Sequence, residues 1–191
     1  MDSVEDGLAL ADRLVEFLKS KIRDTHHRPE WTERNFDVLR EFSDSLGIGA
    51  ECYPSAKNIA PEQKARQFLW DFIAYKPQKG ILLAVESEHM NDKHSILEDF
   101  EKLLYVRSPV KLMMCRVHDP ANAERQAIQI KDWAQDFMEQ TCTWYSPGEV
   151  FILYCVYWSG EDRDNRDFAF RLRIAGEFDY CSITSEKFEA I

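Results

Sequence analysis

Three carboxylates interrupt two apolar runs in FLWDFIAYKPQKGILLAVESEH, residues 68–89: Asp71, Glu86 and Glu88. Read as strands with alternating side chains, the runs place Asp71 beside Leu69, Ile73 and Tyr75, and Glu86 and Glu88 beside Leu82 and Ala84. The turn residues KPQKG fold the runs into a hairpin, and with Tyr75 opposite Leu82 the register sets Asp71 opposite Glu86. Like charges so placed destabilise a sheet by a few tenths to about 1 kcal/mol, and burial adds to this, so the pattern demands a cation. A hard divalent ion, Mg²⁺ or Mn²⁺, suits such oxygen ligands because it takes one or two carboxylates and leaves places for phosphate oxygens. Two such ions about 3.5–4 Å apart would stabilise the attacking and leaving oxygens of phosphodiester hydrolysis. The competing arrangement is a structural ion network in which Arg66, Lys102 or Lys111 neutralises the acids.

The whole chain limits these options. With 191 residues, 45% of them hydrophobic, it can bury a sizeable core as a single domain over 1–191. Its 34 acidic against 24 basic residues argue against nucleic-acid binding by bulk charge, although a local basic groove is compatible with them. The five cysteines form no CxxC pair and three lie in apolar runs, as expected of free thiols in a reducing compartment, the cytoplasm. The N-terminal stretch opens with acids rather than a basic leader, and no apolar run is long enough to span a bilayer, so no membrane association is expected.

The elements that would carry the acids follow from periodicity. Leu8, Ala11, Leu14, Val15, Leu18 and Ile22 recur at helical spacing, and so do Trp31, Val38, Leu39, Phe42 and Leu46 before a stop at GIG; together they predict an N-terminal helical hairpin. Short runs then predict three strands at GAECYPS, QFLWDFIAY and ILLAVESE. A helix over 94–106, a strand at SPVKLMMCRV, a helix over about 121–141 and a fully apolar strand VFILYCVYW follow. In the last segment Phe168, Phe170, Leu172 and Ile174 alternate with Arg171 and Arg173, and one more strand has room after them. The pattern predicts a mixed sheet with helices on both faces, divided into an N-terminal helix (1–28), a core (30–160) and a C-terminal strand extension (161–191).

These features resemble the PD-(D/E)xK, or restriction-endonuclease-like, nuclease superfamily, whose core is a helix, three strands, a helix and a strand. That family carries an Asp on its second strand and a D/E-x-K element on its third; here FLWDF supplies Asp71, and VESEH supplies Glu86 and Glu88. The resemblance covers about residues 30–117 and implies an α/β fold with a mixed central sheet flanked by helices, a bound Mg²⁺ or Mn²⁺, and hydrolysis of DNA or RNA. Trp70 replaces the motif proline, and Glu88 replaces the lysine that stabilises the charged phosphorane. Glu88 would then be a third metal contact or a general base, and Lys102 or Lys111 the relocated lysine. The same departure motivates the alternative, a catalytically silent nuclease-like module that binds a protein partner or dimerises through the N-terminal helices.

Other groups carry less. Glu51 can approach the cluster from the first strand but reads better as an exposed edge residue, and His89 and His94 lack a zinc spacing. Ser87 has no partnered histidine, and Asp162, Asp164 and Asp167 cancel the arginines around them.

Overall fold

The computed structural model describes residues 4–22, 31–52, 70–90, 92–119, 121–141, 148–157, 166–175 and 182–187. Among them lie four helices and seven strands: α1 (Val4–Ile22), α2 (Trp31–Ser45), β1 (Gly49–Cys52), β2 (Phe72–Lys76), β3 (Gly80–Glu88), α3 (Lys93–Leu104), β4 (Val110–Val117), α4 (Ala123–Gln140), β5 (Val150–Tyr157), β6 (Arg166–Ala175) and β7 (Ser182–Lys187). The strands form one mixed, open sheet in chain order. β3, β4 and β5 are parallel, joined through α3 and α4, while β1–β2–β3 and β5–β6–β7 are antiparallel.

Burial follows the periodicities. Leu10, Ala11, Leu14, Val15 and Leu18 of α1 and Phe36, Leu39 and Phe42 of α2 cover one sheet face through Leu83, Val85, Leu112, Met114 and Ile152. Each large side chain so buried contributes about 1.5–3 kcal/mol. The two helices also touch through Phe17 and Phe42, whose rings lie 5.4 Å apart. The apolar stripe of each helix is therefore used inside the chain. On the opposite face Ile96, Phe100 and Leu103 of α3 and Ala127, Ile130 and Ala134 of α4 pack on Met113, Cys115, Phe151 and Leu153. Cys115 and Cys155 are buried free thiols; the other cysteines lie outside the described residues or at an element end.

Turn chemistry sets the ends. After α2, Gly47 takes φ 63° and Ile48 N–H reaches back to Ser43 O at 3.1 Å, the closure that a left-handed residue gives a helix C-terminus. The β2–β3 turn has Pro77 second and Gln78 at φ 70°, with Lys79 N–H donating to Lys76 O at 2.9 Å, as in a type II turn. One register expectation needs correction. Phe72, Ile73 and Ala74 do face Val85, Ala84 and Leu83, but an irregularity between Ala74 and Tyr75 sets Tyr75 opposite Ile81 rather than Leu82. The extra residue is absorbed near the turn, so the end carrying the acids keeps the expected alignment.

Candidate active site

Glu86 and Glu88 lie on the α3/α4 side of β3, at the carboxyl end of a parallel strand. Asp71 stands immediately before β2 and is half-buried; its Oδ2 accepts a 2.9 Å hydrogen bond from Ser87 N–H, which holds it next to the residue that follows Glu86. The helix α3 enters against this end of the sheet. Asp92 caps it, accepting from Ser95 N–H at 3.0 Å, and its first two turns carry Asp99 and its last turn Lys102.

Lys102 joins the acids. Its Nζ lies 2.5 Å from Asp99 Oδ1 and 3.6 Å from Glu86 Oε2, while its carbonyl accepts from Trp70 Nε1–H at 2.9 Å. That last bond ties the chain just before Asp71 to α3. Glu88 lies close to Asp99, whose charge helps to raise its carboxyl, and accepts from Met90 N–H at 2.7 Å. A chain of contacts therefore runs from Glu88 through Asp99 and Lys102 to Glu86, with Asp71 beside it.

Among the described residues four carboxylates surround one ammonium; Arg66, the other cation weighed for this role, lies outside them. Burial, then the charge of Asp71, pushes the Glu86 carboxyl up to about 9, against the lowering effect of Lys102. Burial also raises Asp71, opposed by the Ser87 N–H, and raises Glu88, opposed by the Met90 N–H. Burial works against the Lys102 charge, but Asp99, Glu86 and Asp71 together outweigh it and hold the ammonium above its usual range. At neutral pH the arrangement is thus a protonated Glu86 with Lys102 balanced mainly by Asp99, in keeping with the longer of its two contacts being to Glu86. Glu86 Oε1 is buried and, among the described residues, has no hydrogen-bond partner.

The sequence-derived set is only partly assembled. Asp71, Glu86, Glu88 and Lys102 come together, and Asp99, which sequence reasoning missed, belongs with them. Its signal was its position three residues before Lys102, beside the buried stripe of Ile96, Phe100 and Leu103. Lys111 does not belong. It is fully buried, 2.6 Å from Glu149 and 4.6 Å over the Phe151 ring, because strand alternation puts it on the Met113 and Cys115 side where Glu149 can reach it. Among the described residues no three His, Cys, Asp or Glu side chains converge on a common metal position. The Glu51 side chain lies outside the described residues. No protein-family model matches the chain, and neither a curated protein nor a solved structure matches it at a significant level. No helix among the described residues is long and apolar enough to cross a membrane.

Proposed function

We propose that the protein hydrolyses phosphodiester bonds in DNA or RNA with a divalent ion, Mg²⁺ or Mn²⁺, held at Asp71 and Glu86. The observation that carries this reading is the orphaned, buried Glu86 Oε1 beside Asp71, in a cluster whose acids outnumber its one lysine. A buried carboxylate oxygen without a partner costs free energy that a hard cation would offset, and Mg²⁺ needs only one or two carboxylates when waters and phosphate oxygens complete its shell. The succession α2, β1, β2, β3, α3, β4 also follows the order of the PD-(D/E)xK core, with the acids at the ends of its second and third strands.

Bound there, the ion supplies Lewis-acid stabilisation of the charge that develops on phosphate oxygens. The side chains divide the rest. Lys102 takes the role of the relocated motif lysine, turning its ammonium from Glu86 to a phosphate oxygen. Glu88, whose proton affinity is raised by burial, accepts the proton of the attacking water. Occupancy of Glu86 by a cation requires loss of its proton.

A second reading rests on the Lys102–Glu86 contact itself: the lysine neutralises the cluster permanently and the fold serves as a binding module. The thermal shift of chelator-stripped protein with Mn²⁺ or Mg²⁺ separates the two. At an ion concentration about a hundredfold above Kd, binding adds about 2.7 kcal/mol, a rise of the order of 5 °C or more for a chain of this size. The shift should vanish in Asp71→Asn, and cleavage of plasmid DNA or RNA should vanish with it. A wild-type protein that ignores millimolar ion would establish the module instead.

A further inference from the structure

A second site lies on the other side of the sheet. α1, the turn from α2 into β1 and the β2–β3 hairpin enclose a recess of about 290 Å³. Three cations edge it: Arg13 from α1, and Lys76 and Lys79 from the two sides of the hairpin turn. Its floor is aliphatic, made by Leu10, Ile48 and Leu82, which are buried, with Leu46 alongside. No carboxylate lines it among the described residues, in a chain with 34 acids to 24 bases. Nor does any described carboxylate form an ion pair with Arg13, Lys76 or Lys79. The recess is remote from the acidic cluster: Lys76 and Asp71 are five residues apart along β2, about 17 Å, and the two features open on opposite sheet faces.

Three like charges gathered around an apolar hollow repel one another and find no counter-charge among the described residues; an anion with an apolar body satisfies both halves of the lining. Arg13 offers a fork of N–H donors that matches two oxygens of one group, and the two lysines add point charges. A carboxylate, with one charge, would leave two cations unmatched, whereas a phosphomonoester carries about −1.5 to −2 and three acceptor oxygens. We propose that this recess binds a phosphomonoester attached to an apolar or planar body, either a nucleoside monophosphate or the phosphate of an alkyl chain. This site stands independently of the proposed hydrolysis.

Titration calorimetry of the full chain at low salt, with adenosine 5′-monophosphate, octyl phosphate, octanoate and inorganic phosphate as probes, tests it. One of the two phosphomonoesters should bind at least about tenfold more tightly than octanoate or inorganic phosphate, and which one binds identifies the source of the ligand. The double substitution Arg13→Gln with Lys79→Gln should weaken that binding about tenfold or more, as expected for losing charge-assisted hydrogen bonds. Both residues are exposed, so the melting temperature of the free variant should match that of the wild type. Failure of both esters to bind, equal binding of octanoate or inorganic phosphate, or binding that survives the double substitution would each overturn the proposal.

Discussion

Two lysines face the same side of the sheet in opposite circumstances. Lys111 is sealed against Glu149: its side chain is 0% exposed, that of Glu149 9%, and the contact is 2.6 Å. Lys102 is 38% exposed and stands among Glu86, Asp99, Glu88 and Asp71. The first arrangement is a buried pair; the second has, among the described residues, surplus negative charge at the carboxyl end of β3. A balanced buried pair needs nothing from outside, whereas an acid-rich cluster must hold a proton or take up a cation. Sequence reasoning weighed the two lysines alike, and only their surroundings separate them.

The largest test of that contrast is Lys111→Met. Removing one partner of a buried pair should cost about 3–5 kcal/mol in urea unfolding. Lys111→Met combined with Glu149→Leu should recover most of the loss, because apolar residues of similar volume often replace a buried pair without penalty. Neither change should alter the divalent-ion response. A loss below about 1 kcal/mol would show the pair to be no more than a surface-like contact.

Glu86→Gln tests the unbalanced side and has the opposite sign. Between the unfolded carboxyl value of 4.5 and the folded value of about 9, the native state keeps its proton while the unfolded state has lost it. Rising pH therefore lowers wild-type stability across that window, by at most about 1.4 kcal/mol per pH unit, and leaves it level below. Gln removes this slope. At pH 7 in chelator the variant should exceed the wild type by the order of 3 kcal/mol, and the two should converge near pH 4.5. Parallel pH profiles would mean that Glu86 is ionised in the native state.

The sequence made much of this legible. Period-two and helical patterns located the elements from β1 to β6, since each buries one clear face, and the hairpin register brought Asp71 toward Glu86 before any coordinates. Two things were hidden. The irregularity at Tyr75 arises where strand pairing meets a Pro77–Gln78 turn, and alternation alone does not record an extra residue. Asp99 drew no reading from the sequence; its contact with Lys102 and its closeness to Glu88 depend on how α3 docks against β3, a tertiary relation that spacing along α3 does not encode. Lys111 shows the same limit from the other side, because its partner lies 38 residues away in the approach to β5.

Trp70→Phe sharpens the comparison by loosening only the open cluster. The indole N–H is bonded to Lys102 O across the gap between the start of β2 and α3. Loss of this bond should cost about 1 kcal/mol, and the Lys111 pair should not notice. If the bond positions Asp71 against the α3 acids, the Mn²⁺ thermal shift should shrink as well. A stability loss with an unchanged shift would make Trp70 a packing residue only.

The smallest expected stability effect belongs to Lys102→Met, and its smallness is informative. An ion pair with a side chain 38% exposed is screened by water, so its removal should cost less than about 1 kcal/mol. The cluster has a second way to remain neutral, because Glu86 already holds a proton and would hold it more firmly without the ammonium beside it. Lys111 is fully buried against Glu149, so the same substitution should cost more there. Removing Lys102 also removes the cation that competes for the carboxylates, so the Mn²⁺ shift should grow at pH 9, where Glu86 yields its proton more readily, while phosphodiester cleavage should fall by about 10²-fold or more. A larger shift with lost cleavage would assign Lys102 to the phosphate rather than to the metal; a shift that stays at zero in both proteins would leave the cluster as a self-neutralised counterpart of the Lys111 pair.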